Sequence, residues 1–234
     1  MARITRKELK SDKFALEVEH TVTFFEEHQQ EIIRYGIVGA VGLALIFGYV
    51  IYARHQHTAR EEALTQAVQV QQAQVGPSTP NGGLTFPTQQ AKDEASARAF
   101  SQVISQYSGS DEAEVARYYL GAIAADQGKL AEAEKDFQEA AQKGDANYSS
   151  LAKLSLAQIY LADGRTAQAE STLRDLMAHP TLFVSKDQAT IALARVLIVT
   201  HKVDEARNLI GPLRNTPGSV GEVALQLYGE LPPK

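Results

Sequence analysis

The chain has 234 residues, a formal net charge of −5 and a pI near 5.7, a balance that gives it no electrostatic footprint for nucleic acid. It contains no cysteine, which removes disulfides, thiolate nucleophiles, cysteine metal sites and acyl attachment through a lipoprotein cysteine. An oxidising compartment stays open, because a helical domain of this size can bury enough apolar surface without covalent staples.

Positions 1–34 read as a basic, amphipathic helical tail. Thr5-Arg6-Lys7-Glu8 fits a capping box, and Arg3, Arg6, Lys7, Lys10 and Lys13 recur along one stripe that could rest on membrane lipids. Phe14, Val18, Val22, Phe25, Gln29 and Ile32 continue a seam, apolar but for Gln29, toward the next segment, with Gly36 as a place where the helix could break. Residues 35–53, from Tyr35 to Ala53, carry no charge between Arg34 and Arg54. As a helix they span roughly 28 Å, the thickness of a bilayer's hydrocarbon core. The whole tail precedes them and no small-x-small exit follows, so an uncleaved transmembrane helix is expected rather than a signal peptide. The bias of Lys and Arg toward positions 1–13 puts the N-terminus in the cytoplasm. Gly36, Ala40, Ala44 and Gly48 repeat every fourth position, a narrow face on which a second helix could pack.

Residues 54–75 read as a polar juxtamembrane helix led by Thr58, and 76–92, rich in Gly, Pro, Ser and Thr, as a flexible linker. From 93 to 234 the chain repeats itself. Gly128, Gly164 and His201 stand at equivalent turns, preceded by Leu120-Gly121, Leu156-Ala157 and Leu193-Ala194. After each turn come Ala133, Ala169 and Ala206, then Phe137, Leu173 and Ile210, then Ala140, Leu176 and Leu213. The spacing predicts three tetratricopeptide-like helix-turn-helix units, with an incomplete unit (94–107) capping the front and 219–231 the rear. The predicted class is all-α: an N-terminal helix, one transmembrane helix, then a right-handed α-solenoid.

Such stacks present a groove lined by the first helix of each unit. Register assigns to it Val115, Tyr118, Ala122, Leu151, Leu154, Gln158, Leu161, Ile191, Arg195 and Ile198. Only Arg195 is basic, which argues against capture of an acidic carboxyl tail and for an apolar helix or extended segment. The same residues would also suit a core covered by the terminal helix or by a second copy of the chain. His55-Gln56-His57 is the closest histidine pair, but on a helix the two point about 200° apart, so no metal is expected. Phosphate-cradling glycine loops, His-Glu-x-x-His and Gly-x-Ser-x-Gly are all missing, and neither a cofactor nor an enzyme is expected.

The acidic and aromatic segment Phe24-Phe25-Glu26-Glu27 to Ile32, the Gly-containing span, the helix Thr58 to Leu64 and the repeat stretch Ala152 to Tyr160 together resemble the ancillary SecYEG translocon subunit family, the YfgM-like proteins. The resemblance implies a cytoplasmic tail in the bacterial inner membrane and a periplasmic repeat domain. It also implies association with the SecYEG-type translocon and with a membrane-tethered periplasmic chaperone. The basic extension at positions 1–13 and the linker at 76–90 depart from that pattern. The expected function is a protein–protein interaction adaptor. The alternative is a scaffold of an envelope or division assembly that self-associates through the small face into a homo-oligomer.

Overall fold

The computed structural model describes residues 6–77 and 83–232, with side chains described at Gln30 and from Ile33 onward. Thr5, Arg3 and the side chains of the basic stripe lie outside the described residues, as does the seam from Phe14 to Ile32. The described residues fall into two compact units, one ending at Thr58 and the other beginning at Ala59.

Helix α1 runs without interruption from Arg6 to Gln71. Gly36 therefore does not break it, and Thr58 does not start a new helix: its hydroxyl donates to the Arg54 carbonyl one turn back, as a mid-helix threonine does. In the first unit the apolar stretch is one helix, long and apolar enough to cross a membrane, with none of it buried.

The second unit consists of stacked helices: α2 (Gln89–Gln106), α3 (Asp111–Asp126), α4 (Leu130–Lys143), α5 (Ala146–Ala162), α6 (Thr166–Ala178), α7 (Lys186–Val199), α8 (Val203–Ile210) and α9 (Ser219–Gly229). Each packs on the next from α2 to α8, and α9 closes the stack against α7 and α8. A two-residue parallel pairing, β1 (Gln74–Val75) with β2 (Thr85–Phe86), lies in the segment read as linker.

The three turns were legible because they need a left-handed residue. Gly128 and Gly164 both have φ of +74°, and His201, at +59°, is the one non-glycine with positive φ among the described residues. Past each turn, Ala133, Ala169 and Ala206 are fully buried, so the two helices of a pair can touch. Side-chain sizes are matched across each crossing. Gly121 faces Phe137, whose ring would lie 3.1 Å from any added Cβ, whereas Ala157 and Ala194 stand at the equivalent place opposite the smaller Leu173 and Ile210.

Two features of the stack differ from the sequence reading. The segment around Glu94–Tyr107 is not an incomplete front unit, because the last turns of α1 complete it. Ala67 is 1 % exposed and shares a core with Phe100, Val103, Ala116 and Ile123, flanked by Ala63, Leu64 and Val68. The β1–β2 pairing holds the end of α1 beside the start of α2. In this first pair Ser96, Phe100 and Val103 repeat the spacing of Ala133, Phe137 and Ala140, and all three are buried. At the other end, Leu213 does not continue the third triple: α8 stops at Ile210, Gly211-Pro212 opens a 3-10 turn, and Leu213 is only half-buried. Leu227 and Leu231, from α9 and its end, supply the missing apolar cover.

Ion pairs link successive units. Arg165, just after the second turn, reaches back to Glu134 with bonds of 2.8 and 2.6 Å and stacks over Tyr160 at 4.5 Å; Lys202, just after the third, reaches Glu170 at 2.7 Å. Within the second unit, Lys153 of α5 pairs with Asp175 of α6 at 2.8 Å. In the third pair the residue equivalent to Glu134 and Glu170 is Arg207, which instead donates to the Pro232 carbonyl beyond α9.

Two substitutions test this packing. The Ser96 hydroxyl is buried without a partner where the later units place alanine. Ser96→Ala is expected to raise stability by about 1 kcal/mol in denaturant unfolding. His201→Gly, which relieves the left-handed backbone, is expected to add about 1 kcal/mol. The ion pairs set an acid limit. The Glu134 carboxyl is held below its usual value of 4.5 by the Arg165 guanidinium, and Glu170 likewise by Lys202 and then Arg174. Stability from these pairs is complete above about pH 4.5 and is lost as pH falls through the depressed folded values. Thermal unfolding at a series of pH values should show that decline, and Glu134→Gln should flatten part of it.

Candidate functional site

Two adjoining hollows open along the first helices of the units, α3, α5 and α7. One, of about 290 Å³, lies between α3 and α5 and is lined by Ala122, Ala125, Asp126, Ser155, Gln158 and Ala162 among others. The second, of about 270 Å³, lies between α5 and α7 and is lined by Leu154, Gln158, Leu161, Ala162, Ala192 and Arg195. Gln158 and Ala162 line both, so the two hollows adjoin across these side chains as one trough.

Of the ten groove residues read from the sequence, five line this trough: Ala122, Leu154, Gln158, Leu161 and Arg195. Ala122, Gln158 and Arg195 occupy the same repeat position, and Gln158 and Arg195 are exposed. The other five are placed elsewhere. Val115 is buried, and Leu151, Ile191 and Ile198 pack half-buried against the central core. Tyr118 is held in an aromatic cluster, 5.7 Å from the Phe137 ring and 5.6 Å from Tyr148. Burial raises the Tyr118 hydroxyl above its usual range, a shift that a hydrogen bond with Ser155 partly offsets. Ala125, Asp126, Ser155, Ala162 and Ala192 were missed. Ala125 stands one helical turn beyond Ala122, at the position Leu161 and Ile198 hold in later units, but a small side chain carries no apolar signal in a register count.

The chemistry the trough offers is recognition. Alanine and leucine side chains make an apolar floor, one amide stands at its middle, and a carboxylate (Asp126) and a guanidinium (Arg195) stand toward opposite ends. A third hollow, of about 240 Å³, lies between α2, α3 and α4, where burial raises the Asp136 carboxyl despite the opposing charge of Arg117. Among the described residues no group of three or more His, Asp or Glu is arranged to hold a metal ion. In the first unit, Gly36, Ala40, Ala44 and Gly48 are exposed, with open space around the two glycines.

The sequence profile of the tetratricopeptide repeat-like domain family matches residues 23–186. This is well over half of the chain, and the chain belongs to that family. Domains of this kind are in general non-catalytic protein-interaction modules. The match begins ahead of the apolar stretch and ends at the first residue of α7, so α7, α8 and α9 lie almost wholly beyond it. Comparison with curated proteins and with solved structures gives no match.

Proposed function

We propose that this chain is a non-enzymatic, single-pass inner-membrane adaptor of the ancillary SecYEG translocon subunit type, with its N-terminus in the cytoplasm and its repeat domain in the periplasm. In this reading the span and tail dock on the protein-export channel, with Gly36, Ala40, Ala44 and Gly48 as the packing face. The trough around Ala122, Gln158 and Arg195 receives an apolar segment of a membrane-tethered chaperone or of an emerging client. The observation that carries the reading is the extent of the family match: it takes in residues 23–58 together with the repeats, so the apolar helix and the interaction module travel as one unit. The bias of positive charge toward positions 1–13 supports the orientation.

A second reading rests on the same exposed small face: self-association of the span, organising an envelope assembly without handling clients. Photoreactive residues at Ala44 and Gln158 in the full-length protein separate the two. Gln158 is exposed in the trough, whereas Tyr118 is held among aromatic rings. The expected result is channel subunits captured at Ala44 and a chaperone or secreted protein at Gln158. Capture of the chain by itself at both positions would overturn the adaptor reading in favour of the scaffold.

A further inference from the structure

Leu182 is 86 % exposed, more than any exposed large apolar residue of the apolar span, and Phe183 beside it is 40 % exposed. They form the tip of the α6–α7 connection, and the tip is built rather than loose. The Thr181 amide donates to the Val184 carbonyl, the Val184 amide donates to the Thr181 hydroxyl, and that hydroxyl lies 2.7 Å from the Ser150 hydroxyl of α5. Val184 is fully buried beneath, and the Phe183 ring rests edge-on against Tyr148 at 5.4 Å. Two apolar side chains are thus projected into solvent by a turn pinned on both sides.

The edge of the stack that carries this tip is set by the helix directions. Short connections make successive helices antiparallel, so the inter-unit links at 107–110, 144–145 and 179–185 share one edge and the turns at 127–129, 163–165 and 200–202 the other. The β1–β2 pairing puts the start of α2 beside the end of α1, and the two helices share a core, so α2 runs back along the last turns of α1. The 18 residues of α2 rise about 27 Å against about 20 Å for the stretch of α1 from Ala59 to Gln71. The link after α2 therefore reaches the edge on which the repeat unit begins. Between Ala59 and the last apolar residue of the span, Ala53, lie five residues. Even fully extended, the six steps from Ala53 to Ala59 span at most about 21 Å, which bounds how far the start of this edge can stand from the end of the span.

We infer that the Leu182-Phe183 tip inserts into the lipid interface, a second and peripheral contact between the repeat domain and the membrane. Leucine and phenylalanine on one side and a tyrosine ring behind them suit the boundary between headgroups and acyl chains. The neighbouring charges, Lys186 and Asp187, cancel, so the contact is apolar and does not depend on anionic lipid. It rests on the reading of residues 35–53 as a transmembrane anchor.

The chain lacks cysteine, so single reporters can be placed without a background. The full-length protein is reconstituted in phosphatidylcholine vesicles containing spin-labelled lipid, with an environment-sensitive fluorophore at Leu182→Cys, at Leu45→Cys in the span, or at Gln127→Cys on the opposite edge. Lipid quenching is expected at 45 and 182 and not at 127. Quenching at 45 with none at 182 would overturn this inference alone. Aqueous iodide would then show whether the tip stands in water or, if protected from both quenchers, under another protein. Quenching at none of the three would remove the transmembrane reading and this inference with it.

Discussion

A helix pair of the tetratricopeptide type cannot bury its apolar face alone, and each pair in this stack is completed by its neighbour. The constraint is sharpest at the front, where Phe100 and Val103 of α2 have a following unit on one side only. Ala67, with Ala63, Leu64 and Val68, covers that face from α1. Remove that cover and two large apolar side chains of the first core meet water, at about 25 cal/mol for each Å² exposed. The last turns of α1 are therefore the first helix of the repeat stack, and five residues of sequence separate Ala59 from the last apolar residue of the span.

From that arrangement the remaining features follow in order. The stack grows by the same crossing: a buried small residue on the second helix of each pair, Ser96 in the first and alanine in the later three, and first-helix residues sized to the large side chain they face, as Gly121 with Phe137 and Ala157 with Leu173 illustrate. It is tied laterally by Arg165 to Glu134 and Lys202 to Glu170, and it ends where Arg207 replaces the acid and holds the Pro232 carbonyl behind α9. The first helices of the pairs leave a trough between them, and in its central row, Ala122, Gln158 and Arg195, the half-buried alanine gives way to two exposed polar side chains.

Much of the fold was legible in the sequence because the repeat is written in residues with a single physical use. A left-handed turn at Gly128, Gly164 and His201, a small residue at the crossing and a large one four positions on recur at nearly even spacing. The first pair escaped that reading for two reasons. Its turn occupies positions 72–88 rather than three, so no glycine stands at the repeat period, and its inner helix uses alanines and glutamines that carry little hydrophobic periodicity. The trough was half legible. Register identified the correct helices, but it could not tell Tyr118 and Val115, drawn into aromatic and apolar packing, from Gln158 and Arg195, which stay exposed. That distinction depends on which side chains of the neighbouring helices meet each position, as Phe137 and Tyr148 meet Tyr118, and no single-helix pattern encodes it.

The central claim is that the last turns of α1 are core rather than spacer. Hydrogen exchange of the full-length protein in a bilayer mimetic tests it through the amides of residues 63–68, outside the apolar span. The account predicts protection comparable to that of α3, because opening those turns would uncover Phe100 and Val103. Exchange at the rate of a solvated, independently fraying helix would contradict it and return the segment to the role of a polar spacer.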